Sequence, residues 1–184
     1  MRKRIFVAIS LPEEIRRELL SYEKRWKNLH IKWTNFHNLH ITLEFLGEVN
    51  RWELKKILQA VEKTALEIKP FDIKLDKITL GPDSTQAKMF WVMVCVEKNI
   101  IELKDLINKN LKFYDFSLQE EQEFKPHITL ARARGNQLKG KQTNIVLPDM
   151  RFKLESIEVM HSQLHSGGAK YKVVESYKLS LREG

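Results

Sequence analysis

The tetrapeptide His-Ile-Thr-Leu occurs twice in this chain of 184 residues, at His40–Leu43 and again at His127–Leu130. Each copy lies in a stretch that alternates apolar and polar, and that period of two dictates an extended strand with opposite faces. A chain with two such strands, 87 residues apart, must bury two Ile/Leu faces and leave two His/Thr faces uncovered. A groove shared by both strands satisfies that demand. With six His and seven Thr in 184 residues, random order gives roughly a quarter of one His-x-Thr, so two identical copies carry information.

The rest of the chain supplies the scaffold. Ile5–Ile9 is a short strand stopped at Pro12. A helix follows, with acidic Glu13 and Glu14 at its positive end and the stripe Ile15, Leu19, Tyr22, Trp26, Leu29. From 38 to 46 the period changes. Leu39, Ile41, Leu43 and Phe45 face one way, and His40, Thr42 and Glu44 the other. Asn50 and Glu53 form a near capping box for a second helix with the stripe Leu54, Ile57, Leu58, Val61, Ala65. Phe71, Ile73 and Leu75 alternate as a strand that continues through Ile78 and Leu80 to a turn at Gly81-Pro82-Asp83-Ser84. A buried strand is expected at Met89–Val96 and a third helix on Ile100, Leu103, Leu106, Ile107 and Leu111. In the second motif strand His127, Thr129 and Ala131 share one face. A polar loop at 134–143 and two closing strands, Phe152–Leu164 and Tyr171–Leu181, complete the chain, with a turn at Ser166-Gly167-Gly168.

In each half a helix leads into a His-Ile-Thr-Leu strand. The expected architecture is α+β: two similar, pseudo-symmetric antiparallel lobes, helices outside, and polar sheet faces turned inward to a shared groove. No linker divides the sequence, so 1–184 is expected to form a single bilobal domain.

Composition narrows the function. A net charge of +8 and a pI near 9.5 lean toward an anionic partner, with nucleic acid first among them. Cys95, the one cysteine, falls in an apolar run; it is expected to be a buried, inert thiol in a reducing, cytoplasmic compartment. Met1–Ile9 imitates a signal peptide, but its apolar run stops at Pro12-Glu13-Glu14, and no stretch is long enough to span a bilayer.

A His and a Thr two apart on a strand have Cβ atoms roughly 6.5–7 Å apart, which lets one phosphoryl group touch both. Two such strands surround phosphorus with two proton-transfer groups and two hydroxyl donors. An imidazole titrates near neutrality, so one can accept a proton while the other donates one. Thr42 and Thr129 would hold nonbridging oxygens. Arg132 and Arg134 are placed to offer a guanidinium fork to phosphate. His37 and His40 form a His-x-x-His without a completing Cys or carboxylate, so no metal site is expected. Trp26, Phe45 and Trp52 are expected in the core, while Trp33 or Phe36 could stack on a base at the cleft rim.

Taken together, the run His40-Ile41-Thr42-Leu43-Glu44-Phe45-Leu46-Gly47, the run Lys125-Pro126-His127-Ile128-Thr129-Leu130-Ala131-Arg132, the opening Arg4–Pro12 and Trp33 resemble the two-histidine (2H) phosphoesterase superfamily. The likeness is to its bacterial and archaeal RNA 2′,3′-cyclic phosphodiesterases, also called 2′-5′ RNA ligases, and spans nearly the whole chain. It implies a bilobal fold with the active-site cleft between the lobes, hydrolysis of a 2′,3′-cyclic phosphate to a 2′-phosphomonoester with no metal or organic cofactor, and reversible 2′-5′ ligation. It also implies His40 and His127 as the catalytic pair, with Thr42, Thr129 and Arg132 binding phosphate. We assign His127 as base toward water and His40 as acid toward the ribose 3′-oxygen. Partners are then RNA or nucleotides ending in 2′,3′-cyclic phosphate, with no membrane and with the chain acting as a monomer. Ser162, Gly167-Gly168 and Tyr171 align with the family's closing segment; His161 and His165 depart from it and are left outside the site. Two alternatives remain: a 2H enzyme acting on a small cyclic nucleotide, and a non-catalytic RNA-end binding module.

Overall fold

The computed structural model describes residues 2–82, 87–118, 123–133, 135, 137–138, 143–166 and 168–180. Arg134, Gly167, Leu181, the tip of the turn after Pro82 and most of the polar segment 134–143 therefore lie outside the described residues.

Among the described residues three helices and ten strands follow the order β1 (Lys3–Ser10), α1 (Glu13–Ser21), β2 (Ile31–Trp33), β3 (His40–Val49), α2 (Arg51–Leu66), β4 (Phe71–Gly81), β5 (Met89–Val94), α3 (Lys98–Phe113), β6 (His127–Ala133), β7 (Asn144–Val146), β8 (Arg151–Leu154), β9 (Ser156–His165) and β10 (Gly168–Lys178). The pairings are antiparallel, in the order β10-β9-β1-β3-β6-β5-β4-β7, with β2 added to β6 and β8 to β4. This is the α+β class that the alternating and helical periods require.

The lobes are β10-β9-β1-β3 and β6-β5-β4, and each repeats one plan. The motif strand pairs with a strand one helix earlier in sequence, as β1-α1-β3 and as β5-α3-β6. The strands form one continuous sheet, not two, and its two halves join at one registered pair, Ile41 opposite Ile128, with both side chains fully buried. The second residue of each motif is thus the seam of the molecule. α2 packs on α3 and on β9 and β10, and starts with the expected capping box. There Asn50 Oδ1 accepts from the Trp52 and Glu53 amides at 2.8 and 3.0 Å, and Glu53 Oε2 accepts from the Asn50 amide at 2.6 Å.

The structure departs from the sequence reading in several elements. α1 ends at Ser21, and Tyr22–Trp26 tightens to a 3-10 turn that sets the Trp26 ring 4.5 Å from Phe90. The closing strand expected over 152–164 is two strands broken at Glu155: β8 pairs with β4 in one lobe, and β9 crosses to β1 in the other. The buried positions change from Phe152 and Leu154 to Ile157 and Val159, so the alternation slips by one at Glu155-Ser156, a mark that a reading of one continuous strand passes over. β2 and β7 have three residues each, too few to display a period. Cys95 follows the end of β5 and is half-buried rather than buried, and desolvation pushes its thiol up from the ordinary value.

Candidate active site

Both motif strands carry a β-bulge at the same place. Along β3, Ser10 faces His40 and Ala8 faces Thr42, but the next β1 residue, Val7, faces Glu44, so Leu43 is an additional residue. Along β6, Met93 faces His127 and Trp91 faces Thr129, but Phe90 faces Ala131, so Leu130 is additional. An unpaired residue shifts the alternation by one place. Beyond each motif the faces therefore exchange, and Phe45 and Arg132 come onto the His/Thr side.

Three expectations are corrected by this shift. Ala131 does not share the His127 face but is fully buried against Phe90. Phe45 is not core: it is 67% exposed at the rim of the cleft, 6.0 Å from the Phe6 ring. Glu44 turns instead to an ion pair with Lys104 of α3, both side chains mostly shielded. Trp52, also expected in the core, is 75% exposed in the first turn of α2, where the stripe of that helix faces away from it.

At the seam, antiparallel register about Ile41 and Ile128 puts His40 across from Thr129 and Thr42 across from His127. The two imidazoles thus occupy diagonal corners of a quartet, with a diagonal spacing of about 7–8 Å between backbone positions. One phosphoryl group fits between them.

Each ring is held the same way. His40 Nδ1 lies 2.7 Å from the Asn38 carbonyl, and His127 Nδ1 lies 2.7 Å from the Lys125 carbonyl. A carbonyl only accepts, so Nδ1 carries the proton in both rings, and Nε2 is the nitrogen left for chemistry. His40 Nε2 is 3.0 Å from Thr42 Oγ1. This pair of bonds to the residue two before each histidine has no signature in residue type, and a sequence reading misses it.

The surroundings of the rings are unequal. His40 is the more deeply buried, tilted against Phe6 and edge-on to Tyr171, both at 5.1 Å between ring centres. His127 lies flat on Trp91 at 3.7 Å with an interplanar angle of 21°. Desolvation pushes both imidazoles below their ordinary range. His40 is depressed further by the charges of His127, Arg16 and Arg132, and His127 by Arg132. A reaction that needs one neutral and one protonated imidazole is fastest between their two pKa values, and kcat/KM reports those of the free protein. Since both lie below about 6.5, the kcat/KM maximum is expected on the acid side of that pH. It should fall as the pH rises and the donor deprotonates. A kcat/KM profile peaking above neutrality would contradict it.

The quartet opens into a cavity of about 1410 Å³, lined also by Lys32, Trp33, Phe45, Trp91, Lys104, Lys125, Arg132 and Tyr171. Arg132 reaches the cleft because of the bulge, with Nη1 2.8 Å from Met89 Sδ. Trp33 packs on Phe90 and Trp26 while touching the cavity, and Phe36 stands against His37 under the Arg16 guanidinium. Trp91, which the sequence reading placed only in a buried strand, is a wall of the site. Tyr171 and Ser162 are register partners on β10 and β9, and Tyr171 touches His40. His161 is half-buried beside Lys172 and His165 is exposed; neither lines the cavity. Among the described residues no group of three or more His, Cys, Asp or Glu could hold a metal ion, and no helix is long and apolar enough to cross a membrane.

Fold and quartet together define a 2H phosphoesterase. A family model described as LigT like phosphoesterase matches residues 9–91. An RNA 2′,3′-cyclic phosphodiesterase of Methanocaldococcus jannaschii is 32% identical over 179 residues, covering 95% of this chain and 99% of the relative. A second RNA 2′,3′-cyclic phosphodiesterase, from Methanothermobacter thermautotrophicus, is 24% identical over 97% of this chain and all of the relative. The fold is that of a Thermus thermophilus protein (TM-score 0.86, 24% identity, all of both chains). It is also that of Escherichia coli LigT crystallised with 3′-AMP (TM-score 0.80, 23% identity, 97% of this chain and 99% of that one). The chain belongs to the LigT-like family of RNA 2′,3′-cyclic phosphodiesterases.

Proposed function

We propose that this protein opens the 2′,3′-cyclic phosphate at an RNA 3′ end with water, leaving a 2′-phosphomonoester and a free 3′-hydroxyl. The observation that carries the reading is the diagonal quartet, with each Nδ1 tied back to a carbonyl so that Nε2 is the working nitrogen of both rings, that of His40 lying 3.0 Å from Thr42 Oγ1. His127 is the base: it is the less buried ring, and the attacking water comes from solvent. As water oxygen bonds to phosphorus, His127 Nε2 takes its proton. The bond from phosphorus to O3′ breaks, and His40 Nε2–H delivers a proton to that oxygen. The substrate's negative charge beside His40 offsets the burial that otherwise disfavours its cation. Thr42 and Thr129 donate to the nonbridging oxygens, and Arg132 supplies a fixed positive charge.

Neither a metal nor an organic cofactor enters these steps. With a 5′-hydroxyl of another strand in place of water, the same proton transfers form a 2′-5′ linkage. Phe45 and Arg132 occupy equivalent places after the two bulges, at opposite ends of the quartet: Arg132 serves the phosphate, and the exposed Phe45 ring offers a stacking face to a base of the RNA. The cavity exceeds the usual range of about 300–1,000 Å³ for a small-ligand pocket, and its size with the chain's net charge of +8 favours an RNA end over a small cyclic nucleotide. Both motifs come from one chain, so a monomer completes the site and the two lobes act as one domain. The single cysteine suits a cytoplasmic setting.

Hydrolysis of an oligoribonucleotide ending in 2′,3′-cyclic phosphate, in excess chelator, tests the reading. The expected product is the 2′-phosphate at undiminished rate, with Phe45→Ala raising KM. Binding without turnover would make the protein an RNA-end module, and turnover abolished by chelation would exclude the metal-independent steps.

A further inference from the structure

We propose that Asn38 is a positioning residue for His40, clamped by the β9–β10 hairpin, so that this hairpin aims the imidazole that protonates O3′. The role given to His40 rests on the function proposed above; the clamp itself does not.

The argument starts from the one bond that fixes the His40 tautomer. Its acceptor is the backbone carbonyl of Asn38, at 2.7 Å. Asn38 ends a short 3-10 turn, Phe36–Asn38, ahead of β3, so its peptide lies outside the ladders of the sheet. Its amide donates to the Asn35 carbonyl within the turn at 2.8 Å, and what ties it to the rest of the sheet is its own side chain. Asn38 Nδ2 donates to the Ala169 carbonyl at 2.7 Å, and Asn38 Oδ1 accepts from the Tyr171 amide at 3.4 Å. Both partners are main-chain groups of β10, two residues apart, and together they fit the two ends of one carboxamide. No other uncharged side chain of this length offers a donor and an acceptor in that arrangement.

The same stretch of β10 touches the ring a second time. Tyr171 stands edge-on to His40 at 88° and edge-on to Phe6 at 72°. The start of β10 is also reached from the other lobe: the Lys32 ammonium, on β2 beside β6, lies over Gly168, 2.6 Å from where a Cβ would stand. The hairpin thus spans from the lobe of His40 to the strand beside the second motif.

The second histidine is anchored differently. Pro126, the residue between His127 and its acceptor Lys125, accepts from the Val94 amide at 3.1 Å, so main-chain pairing with the end of β5 fixes that peptide. His127 needs no side-chain clamp. The asymmetry makes a clean test, since one amide can be removed on the His40 side without touching either imidazole.

The experiment compares wild type with Asn38→Ala and Asn38→Asp by imidazole 15N NMR, together with kinetics on two substrates. In Asn38→Ala the neutral His40 ring is expected to become a mixture of Nδ1–H and Nε2–H tautomers. His127 should keep its Nδ1–H form and so report an intact fold. Turnover of the cyclic phosphate should fall about 10- to 100-fold at nearly unchanged KM, as a slightly misaimed catalytic group costs. A ribonucleoside 3′-phosphodiester with a p-nitrophenol leaving group, which needs no proton donor, should be turned over as by wild type. Asn38→Asp keeps the acceptor for the Tyr171 amide but loses the donor to Ala169, and should fall between. An unchanged His40 tautomer in Asn38→Ala overturns the clamp whatever the rates do. A shifted tautomer in a protein that does not hydrolyse cyclic phosphate would sustain the clamp and overturn the function instead.

Discussion

His40→Ala and His127→Ala are each expected to lower turnover of cyclic-phosphate RNA by about 10²–10⁴, the usual worth of one positioned proton-transfer group. The double variant should lose little more than the worse single one, because both imidazoles serve the same transition state and such effects do not add. The rings sit on the cleft face rather than in the core, with Ile41 and Ile128 carrying the burial behind them. Stability should therefore change far less than rate, and thermal unfolding separates the two. The division of roles is read with an activated leaving group. His40→Ala should regain most of its loss when the leaving oxygen needs no proton, and His127→Ala should not. Recovery by His127→Ala alone would exchange the roles, and full activity in either single variant would remove that residue from the mechanism.

Gly81→Ala is expected to lower kcat by about 100-fold, although Gly81 lies at the end of β4 and contacts neither motif. A Cβ there would fall 2.3–2.6 Å from atoms of the Trp91 indole, closer than real contacts allow. The indole must move, and it is the plate on which His127 lies at 3.7 Å. Overpacking of this kind costs about 1–3 kcal/mol in stability, which alone would leave kcat per folded molecule unchanged. The relay through Trp91 is tested by adding Trp91→Leu, which makes room for the methyl. Gly81→Ala should then cost nothing beyond Trp91→Leu alone. If the two losses multiply instead, Gly81 acts by another route. Wild-type kcat in Gly81→Ala would show that the indole yields without disturbing the imidazole.

How much of this was legible in advance differs from residue to residue. His40, Thr42, His127 and Thr129 stand out in the bare sequence because a strand's period of two places each pair on one face, and that holds wherever the strand packs. The helix stripes, the capping box at Asn50 and the α+β class are legible for the same reason: each is a local property of one segment. Glu44, Phe45 and Ala131 were misread because Leu43 and Leu130 are bulge residues. A bulge is a count of residues on one strand against those on its partner, and no single strand contains that count.

Residue pattern alone determined the chemistry this protein can carry: two imidazoles and two hydroxyls on strand faces, a basic surplus, and enough apolar sequence to bury the opposite faces. Only the tertiary structure decided how these groups meet. Pairing Ile41 with Ile128 set the imidazoles on a diagonal, and the bulges brought Phe45 and Arg132 to the cleft. The carbonyls of Asn38 and Lys125 chose the tautomers, and β10 reached 131 residues along the chain to hold Asn38. Periodicity is settled within a few residues by backbone sterics. Register and long-range hydrogen bonds are settled by what two distant segments bury together, and that is written in neither segment by itself.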